Sequence, residues 1–282
     1  MSFLRSPSAF GSHARPPVRD LDLSVIANSN RPHQRVKGVS FKAIRILSDS
    51  LRNHYYIRRL SLRGSLRSSR HLTILSKALE HNISLNFLDL SDNECVFANQ
   101  ALPAEFVDAM RTNGNIHELV LNRNGISNQE IEKLVPALLH NVTSLSLRSN
   151  RVDDEGVRIL VDWVLLRTKS LHKLDLASNA ITNVGASKIS QALSSSCGLH
   201  SLDLSRNSIK DDGATSLATA LKQSSSVVLR TLHLEHNPFT SLGSREIAKM
   251  ARVNLSLTNL SFANYTLDNS ALQALRVAFD FF

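Results

Sequence analysis

The sequence predicts an α/β solenoid in which parallel strands line a concave face and helices form the convex one. Three observations carry this prediction. A motif L-x-x-L-x-L-x-x-N-x-I recurs along the chain, its eight copies start 26–31 residues apart, and amphipathic stretches of helical period follow them.

The copies begin at Ile57, Leu85, Ile116, Val142, Leu171, Leu199, Leu229 and Leu257, and the clearest read LHKLDLASNAI, LHSLDLSRNSI and IHELVLNRNGI. The interval is the length that a strand plus a full helix requires. Within L-x-L the period is that of a strand, so Leu174 and Leu176 point into the core while Lys173 and Asp175 point outward. The Asn three residues past the last Leu stands where the chain turns off the strand. Its amide can satisfy backbone groups of neighbouring turns, so Asn93, Asn124, Asn150, Asn179, Asn207 and Asn237 are expected to stack as a structural asparagine ladder. Two residues past the final apolar position come Asn128, Asp154, Asn183, Asp211, Ser241 and Asn269, which are expected to cap the helices. Segments such as EGVRILVDWVLLR and GATSLATALKQ then carry apolar residues at helical spacing.

In motif and unit length these repeats resemble the ribonuclease-inhibitor-like leucine-rich repeats, over roughly residues 57–282. The resemblance implies a horseshoe that holds another macromolecule, and members of that family share a shape more than a function. Three readings stay open: a protein-binding scaffold or adaptor, a regulator of a small GTPase resembling the Ran GTPase-activating protein, and a cytoskeletal or axonemal scaffold.

The ends depart from the repeat. Residues 18–56 read as a degenerate repeat that caps the first full unit: VRDLDLSVIAN supplies an L-x-L core and FKAIRILSDSLR a helix. Residues 1–17 contain no acid and are rich in Ser, Pro and Arg, which predicts a disordered basic tail and also suits a mitochondrial transit peptide. At the other end Phe279, Phe281 and Phe282 are expected to close the last unit. In the longest unit, ECVFANQALPAEF is expected to form a lengthened loop with Pro103 in the first turn of its helix, and Cys95 is expected in the core.

The formal net charge of +9 is unevenly spread. Residues 1–76 hold 14 Lys and Arg against Asp20, Asp22 and Asp49, leaving the remainder at −2. Basicity is therefore a property of one end, and a general nucleic-acid role is disfavoured. No apolar run approaches the roughly 20 residues of a membrane span, and no secretory leader is evident. An intracellular, mainly cytoplasmic placement is expected, with cytoskeletal and mitochondrial placements both compatible.

No residues pair at the spacing of a nucleophile and its base, of a metal site or of a phosphate loop, so neither catalysis nor a cofactor is expected. His117, His172 and His200 recur at one position and form a row on the strand surface. The triplets at Asn82, Asn141, Asn254, Asn259 and Asn264 match a glycosylation signal by chance. The expected binding surface is the hollow: Arg59, Arg63, Phe87, Asp89, Glu118, Arg123, Arg148, Lys173, Asp175, Asp203, Arg206, His233 and Glu235. Its mixed sign suits a protein partner in a hetero-complex. Arg52, Arg58, Arg67 and Arg70 join Arg59 and Arg63 in a stretch, 51–77, without a single acid; this basic edge would suit an acidic segment, or less readily a nucleic-acid backbone.

Overall fold

Stacking one L-x-L per unit aligns the leucines into rows, and the sheet register shows it. Leu21, Leu60, Leu88, Leu119, Leu145, Leu174, Leu202, Leu232 and Leu260 are consecutive partners across nine parallel strands in strict sequence order. The computed structural model of the chain describes residues 19–24, 38–53, 56–97, 102–195, 197–223 and 228–262. The tail over 1–17, Asn264, Asn269 and the closing phenylalanines lie outside the described residues.

The strands are β1 (Asp20–Asp22), β2 (Arg59–Ser61), β3 (Phe87–Asp89), β4 (Glu118–Val120), β5 (Ser144–Ser146), β6 (Lys173–Asp175), β7 (Ser201–Asp203), β8 (Thr231–His233) and β9 (Asn259–Ser261). Between them run α1 (Phe41–Asn53), α2 (Ser69–Leu79), α3 (Glu94–Phe97) and α4 (Ala104–Thr112), then α5 (Asn128–Leu138), α6 (Asp154–Leu160), α7 (Asn183–Ser194), α8 (Asp211–Gln223) and α9 (Ser241–Ala251). A π-helical turn, Val161–Leu165, continues α6. Each helix returns the chain so that the next strand lies parallel to the last, and its apolar side, such as Ala186, Ile189 and Leu193 of α7, seals the leucine rows from the convex side. This is the α/β solenoid that the period predicts.

The ladder asparagines tie each unit to the one before it. Asn207 donates through Nδ2 to the carbonyls of Leu176 and Leu204, both at 3.0 Å, and its Oδ1 accepts from Ile181 N–H at 3.1 Å. Asn237 repeats this with Leu204, Leu234 and Ile209, and Asn179 with Leu147, Leu176 and Val152. Asn93, Asn124 and Asn150 bond in the same direction, the backbone N–H of each earlier one donating to the amide oxygen of the next. The turn that delivers them is tight. Asp92, Arg123, Ser149, Ser178, Arg206 and His236, each one residue ahead of a ladder Asn, have φ of 53–58°, a left-handed conformation that is costly for residues other than glycine.

The helix caps lie one residue earlier than the sequence reading places them. Ser127, Asp153, Thr182 and Thr240 hold the extended cap position, and Asn128, Asp154, Asn183 and Ser241 are first helical residues. Most of the displaced residues reach forward to the next unit instead. Asp154 accepts from Thr182 N–H, Thr182 Oγ1 and Gly185 N–H at 2.5–2.9 Å, and Asp211 does the same for Thr240 and Gly243 at 2.7–2.9 Å. Asn128 and Asn183 make reduced versions of this contact with Asp153 and Lys210. Close approach requires glycine opposite. A Cβ on Gly156, Gly185, Gly213 or Gly243 would stand 2.5–2.8 Å from the reaching oxygen of the preceding unit.

Three further expectations are corrected: the loop after Asn93, the buried Cys95 and the first-turn Pro103. The segment after Asn93 is partly helical rather than a loop, and α3 turns Val96 and Phe97 into the core, leaving Cys95 exposed. Pro103 is the cap of α4 rather than a first-turn residue, as its extended backbone with ψ of 138° shows. Asn82 and Asn254 are structural: Asn82 is buried and bonds the carbonyl of Leu51 and the N–H groups of Ser84 and Leu85, and Asn254 bonds Leu221, Ser256 and Leu257 in the same way. Asn141 likewise donates to the carbonyl of Asn113.

Candidate functional site

The outward positions of the strands face the hollow in two rows. One row carries Arg59, Phe87, Glu118, Ser144, Lys173, Ser201 and Thr231; the other carries Ser61, Asp89, Val120, Ser146, Asp175, Asp203 and His233. Arg63, Arg123, Arg148, Arg206 and Glu235 come from the turns that follow the strands.

Most charges here are matched within the hollow. Arg148 spans two units: its Nε meets Asp175 at 3.0 Å and its terminal nitrogen meets Asp203. Asp92 sits between Arg63 and Arg123, with Arg123 Nε at 2.5 Å. The hydrogen bond from Arg123, helped by Arg63 and opposed by partial burial, holds the Asp92 carboxyl below the usual aspartate range. Asp89 and Asp203 accept from Ser91 and Ser205, main chain and hydroxyl alike. Glu118 reaches Arg59 at 3.9 Å. His233 lies 2.5 Å from Ser261 Oγ and 3.9 Å from Glu235. Lys173 and Arg206 are exposed, and among the described residues no side-chain partner holds either. The one carbon-ring aromatic among the described strands is Phe87, half-buried, with the Arg59 guanidinium 3.6 Å from its ring centre.

A depressed aspartate stabilises the fold above its unfolded pKa, near the ordinary 3.8, and loses that contribution as pH falls through the lower folded value. Asp92→Asn is therefore expected to destabilise the chain at neutral pH and to flatten the acid limb of its stability curve below about pH 4. Urea midpoints measured across that range check this; parallel curves for the two proteins would dissociate Asp92 from its arginines.

The arginines of the basic edge share neither one unit nor one face. Arg52, in the last turn of α1, donates to the Lys77 carbonyl at 3.1 and 3.3 Å, and Arg58 donates to the Ser84 carbonyl at 3.4 Å. Arg59 lies on the strand, Arg63 in the turn after it, Arg67 ahead of α2 and Arg70 in its first turn. A run of residues in a solenoid travels around the circumference, so nearness in sequence does not make a patch. His117, His172 and His200 precede their strands and line the entry edge of the sheet rather than its face; His172 and His200 meet edge-on at 4.9 Å. Among the described residues no group of three or more His, Cys, Asp or Glu could hold a metal. Burial pushes the thiols of Cys95 and Cys197 up, which is the wrong direction for a reactive thiolate. Among the described residues no helix is long and apolar enough to cross a membrane.

A stack of strand–turn–helix units bound by an asparagine ladder and presenting a curved sheet defines a leucine-rich-repeat solenoid. The chain is built of such repeats, and the profile of the family described as Leucine Rich repeat matches residues 139–160, 169–190 and 195–218. Over 143 residues, half of this chain, it is 31% identical to the human NACHT, LRR and PYD domains-containing protein 14. Over 124 residues it is 34% identical to the human NACHT, LRR and PYD domains-containing protein 13. The matched regions span 13% and 12% of those relatives. Among solved structures, the leucine-rich repeat-containing protein LegL7 of Legionella pneumophila superposes with a TM-score of 0.52 at 20% identity, over 84% of this chain and 77% of that one. An internalin of Listeria monocytogenes superposes with a TM-score of 0.50 at 16% identity, over 86% and 69%. These likenesses show the fold.

Proposed function

We propose that the chain is a non-catalytic protein-binding scaffold of the ribonuclease-inhibitor-like kind, which holds one partner in its hollow and works within an intracellular hetero-complex. The observation that carries this reading is the Phe87–Arg59 contact. A half-buried aromatic with a cation stacked on it, set among strands whose charges are largely matched, has the character of an interface anchor, since Phe and Arg are enriched in interface cores. Self-matched charge favours recognition by shape and hydrogen bonding, and it does not suit a nucleic-acid backbone, which needs a field of one sign. Lys173 and Arg206, cations of the hollow that no described side chain holds, would take carboxylates of the partner. On this reading residues 18–56 act as the N-terminal cap, residues 57–282 form eight repeats including a C-terminal cap, and residues 1–17 extend as a basic tail.

Affinity purification of the tagged chain from its own cells, beside Phe87→Ala, tests this. A discrete protein complex is expected with the parent chain, and one component should fall at least about 10-fold with the variant, the loss of about 1.4 kcal/mol that an anchor residue carries. Equal recovery by both proteins, or recovery of nucleic acid, would overturn it.

A further inference from the structure

The convex face carries a groove of about 720 Å³ along α7, walled by α6 and α8. Helical convex faces are ordinarily ridged, and the groove has a local cause. Its floor is the outward side of α7, where Val184 and Ser187 stand beside the longer Lys188 and Gln191 between α6 and α8. On the α6 side the π-helical turn begins at Val161, and π turns of this kind concentrate at functional sites. Apolar surface is left open here, since Val184 is 68% exposed.

The electrostatics select an occupant. Asp154, Glu155 and Asp212 line the groove against two cations, Arg158 and Lys188. Both cations are already held, Arg158 by Glu155 at 2.6 Å and Asp162 at 3.2 Å, and Lys188 by Asp162 at 3.0 Å. Among the described residues Asp212 has no side-chain partner, and Asp154 and Asp211 are bonded only to neutral groups. The volume lies within the roughly 300–1,000 Å³ of ligand clefts and has room for a few side chains.

We propose that this groove is a second docking site, for a basic amphipathic segment of a partner protein whose apolar residues cover Val184 and whose Lys or Arg residues meet Asp154 and Asp212. The site lies on the opposite side of the sheet from the hollow, so one chain joins two partners. Helix-in-groove docking supplies the apolar contact, and the unmatched carboxylates supply the sign preference.

The full chain is titrated into a fluorescein-labelled synthetic amphipathic Leu/Lys peptide of about 14 residues, and into its Leu/Glu counterpart, while the anisotropy of the label is followed. The Leu/Lys peptide is expected to give a saturable change with a Kd on the order of 10 μM. The Leu/Glu peptide, and the double variant Glu155→Lys with Asp212→Lys, should bind at least about 10-fold more weakly. Phe87→Ala should bind the Leu/Lys peptide as the parent does. Both altered carboxylates are solvent-accessible, and matched circular dichroism and thermal midpoints establish that the double variant is folded. No saturable change with the Leu/Lys peptide, equal binding of the Leu/Glu peptide, undiminished binding by the folded double variant, or loss of binding in Phe87→Ala would each overturn the proposal.

Discussion

Asn207→Ala is expected to lower the stability of the chain by about 3 kcal/mol, a large share of the roughly 5–15 kcal/mol that holds a domain folded. Asn207 is buried, and its removal strands the Ile181 N–H and leaves the carbonyls of Leu176 and Leu204 each short of a bond. Abandoning buried polar groups costs about 1–3 kcal/mol for each one left unsatisfied, which outweighs any gain from a smaller polar side chain. Asn207→Asp should cost at least as much although it is nearly isosteric, because a carboxylate cannot donate to two carbonyls. The control is Asn86→Ala. Asn86 is exposed, its side chain has no partner among the described residues, and its loss should stay within about 0.5 kcal/mol. Urea denaturation of the three variants decides the matter; similar midpoints for Asn207→Ala and the control would remove the ladder from the stability of the fold.

Gly243→Ala should reverse the sign that helix propensity assigns. In an ordinary helix Ala exceeds Gly by about 1 kcal/mol. Here the new Cβ would lie 2.8 Å from Asp211 Oδ1, the oxygen that accepts from Thr240 N–H and Gly243 N–H. Loss or distortion of that cap is expected to destabilise the chain by about 1–2 kcal/mol, comparable to Asp211→Ala. Since both changes spoil the same contact, the double variant should lie near either single one, with a coupling of about 1 kcal/mol. A double-mutant cycle by thermal unfolding measures it. Additive losses would mean that the two groups do not share a contact, and a stabilised Gly243→Ala would mean that the approach is looser than 2.8 Å. Asp211 adds a pH signature: burial raises its pKa, but the Thr240 and Gly243 bonds outweigh it and leave the carboxyl lowered, so the cap's contribution fades only in acid.

The architecture was legible because a repeat states its own period. Leu174, Leu202 and Leu232 stand in register for the same reason that LDL, LDL and LHL recur at nearly constant spacing. What escaped was everything that depends on the neighbouring unit. Asp154 has the chemistry of a cap and the right place in a helix start, yet it serves the helix one turn of the solenoid later, 28 residues on. The glycines of D-E-G, N-V-G, D-D-G and S-L-G marked this, since a glycine fixed in a first helical turn has no local purpose. The pairing of Arg148 with acids 27 and 55 residues away was hidden likewise, and so was the scatter of the six basic-edge arginines around the coil. The Phe87–Arg59 contact could have been read by aligning the units column by column, which sets the two residues on adjacent strands. The groove on α7 could not, because it depends on how three successive helices pack side by side.

Each junction from α5 to α9 is thus tied at two points: an asparagine reaching back on the sheet side and an acidic or amide side chain reaching forward on the helix side. Hinging such a joint toward either face breaks one of the ties. The molecule is therefore suited to act as a stiff gauge, which accepts partners already of matching curvature and forfeits little configurational freedom in doing so.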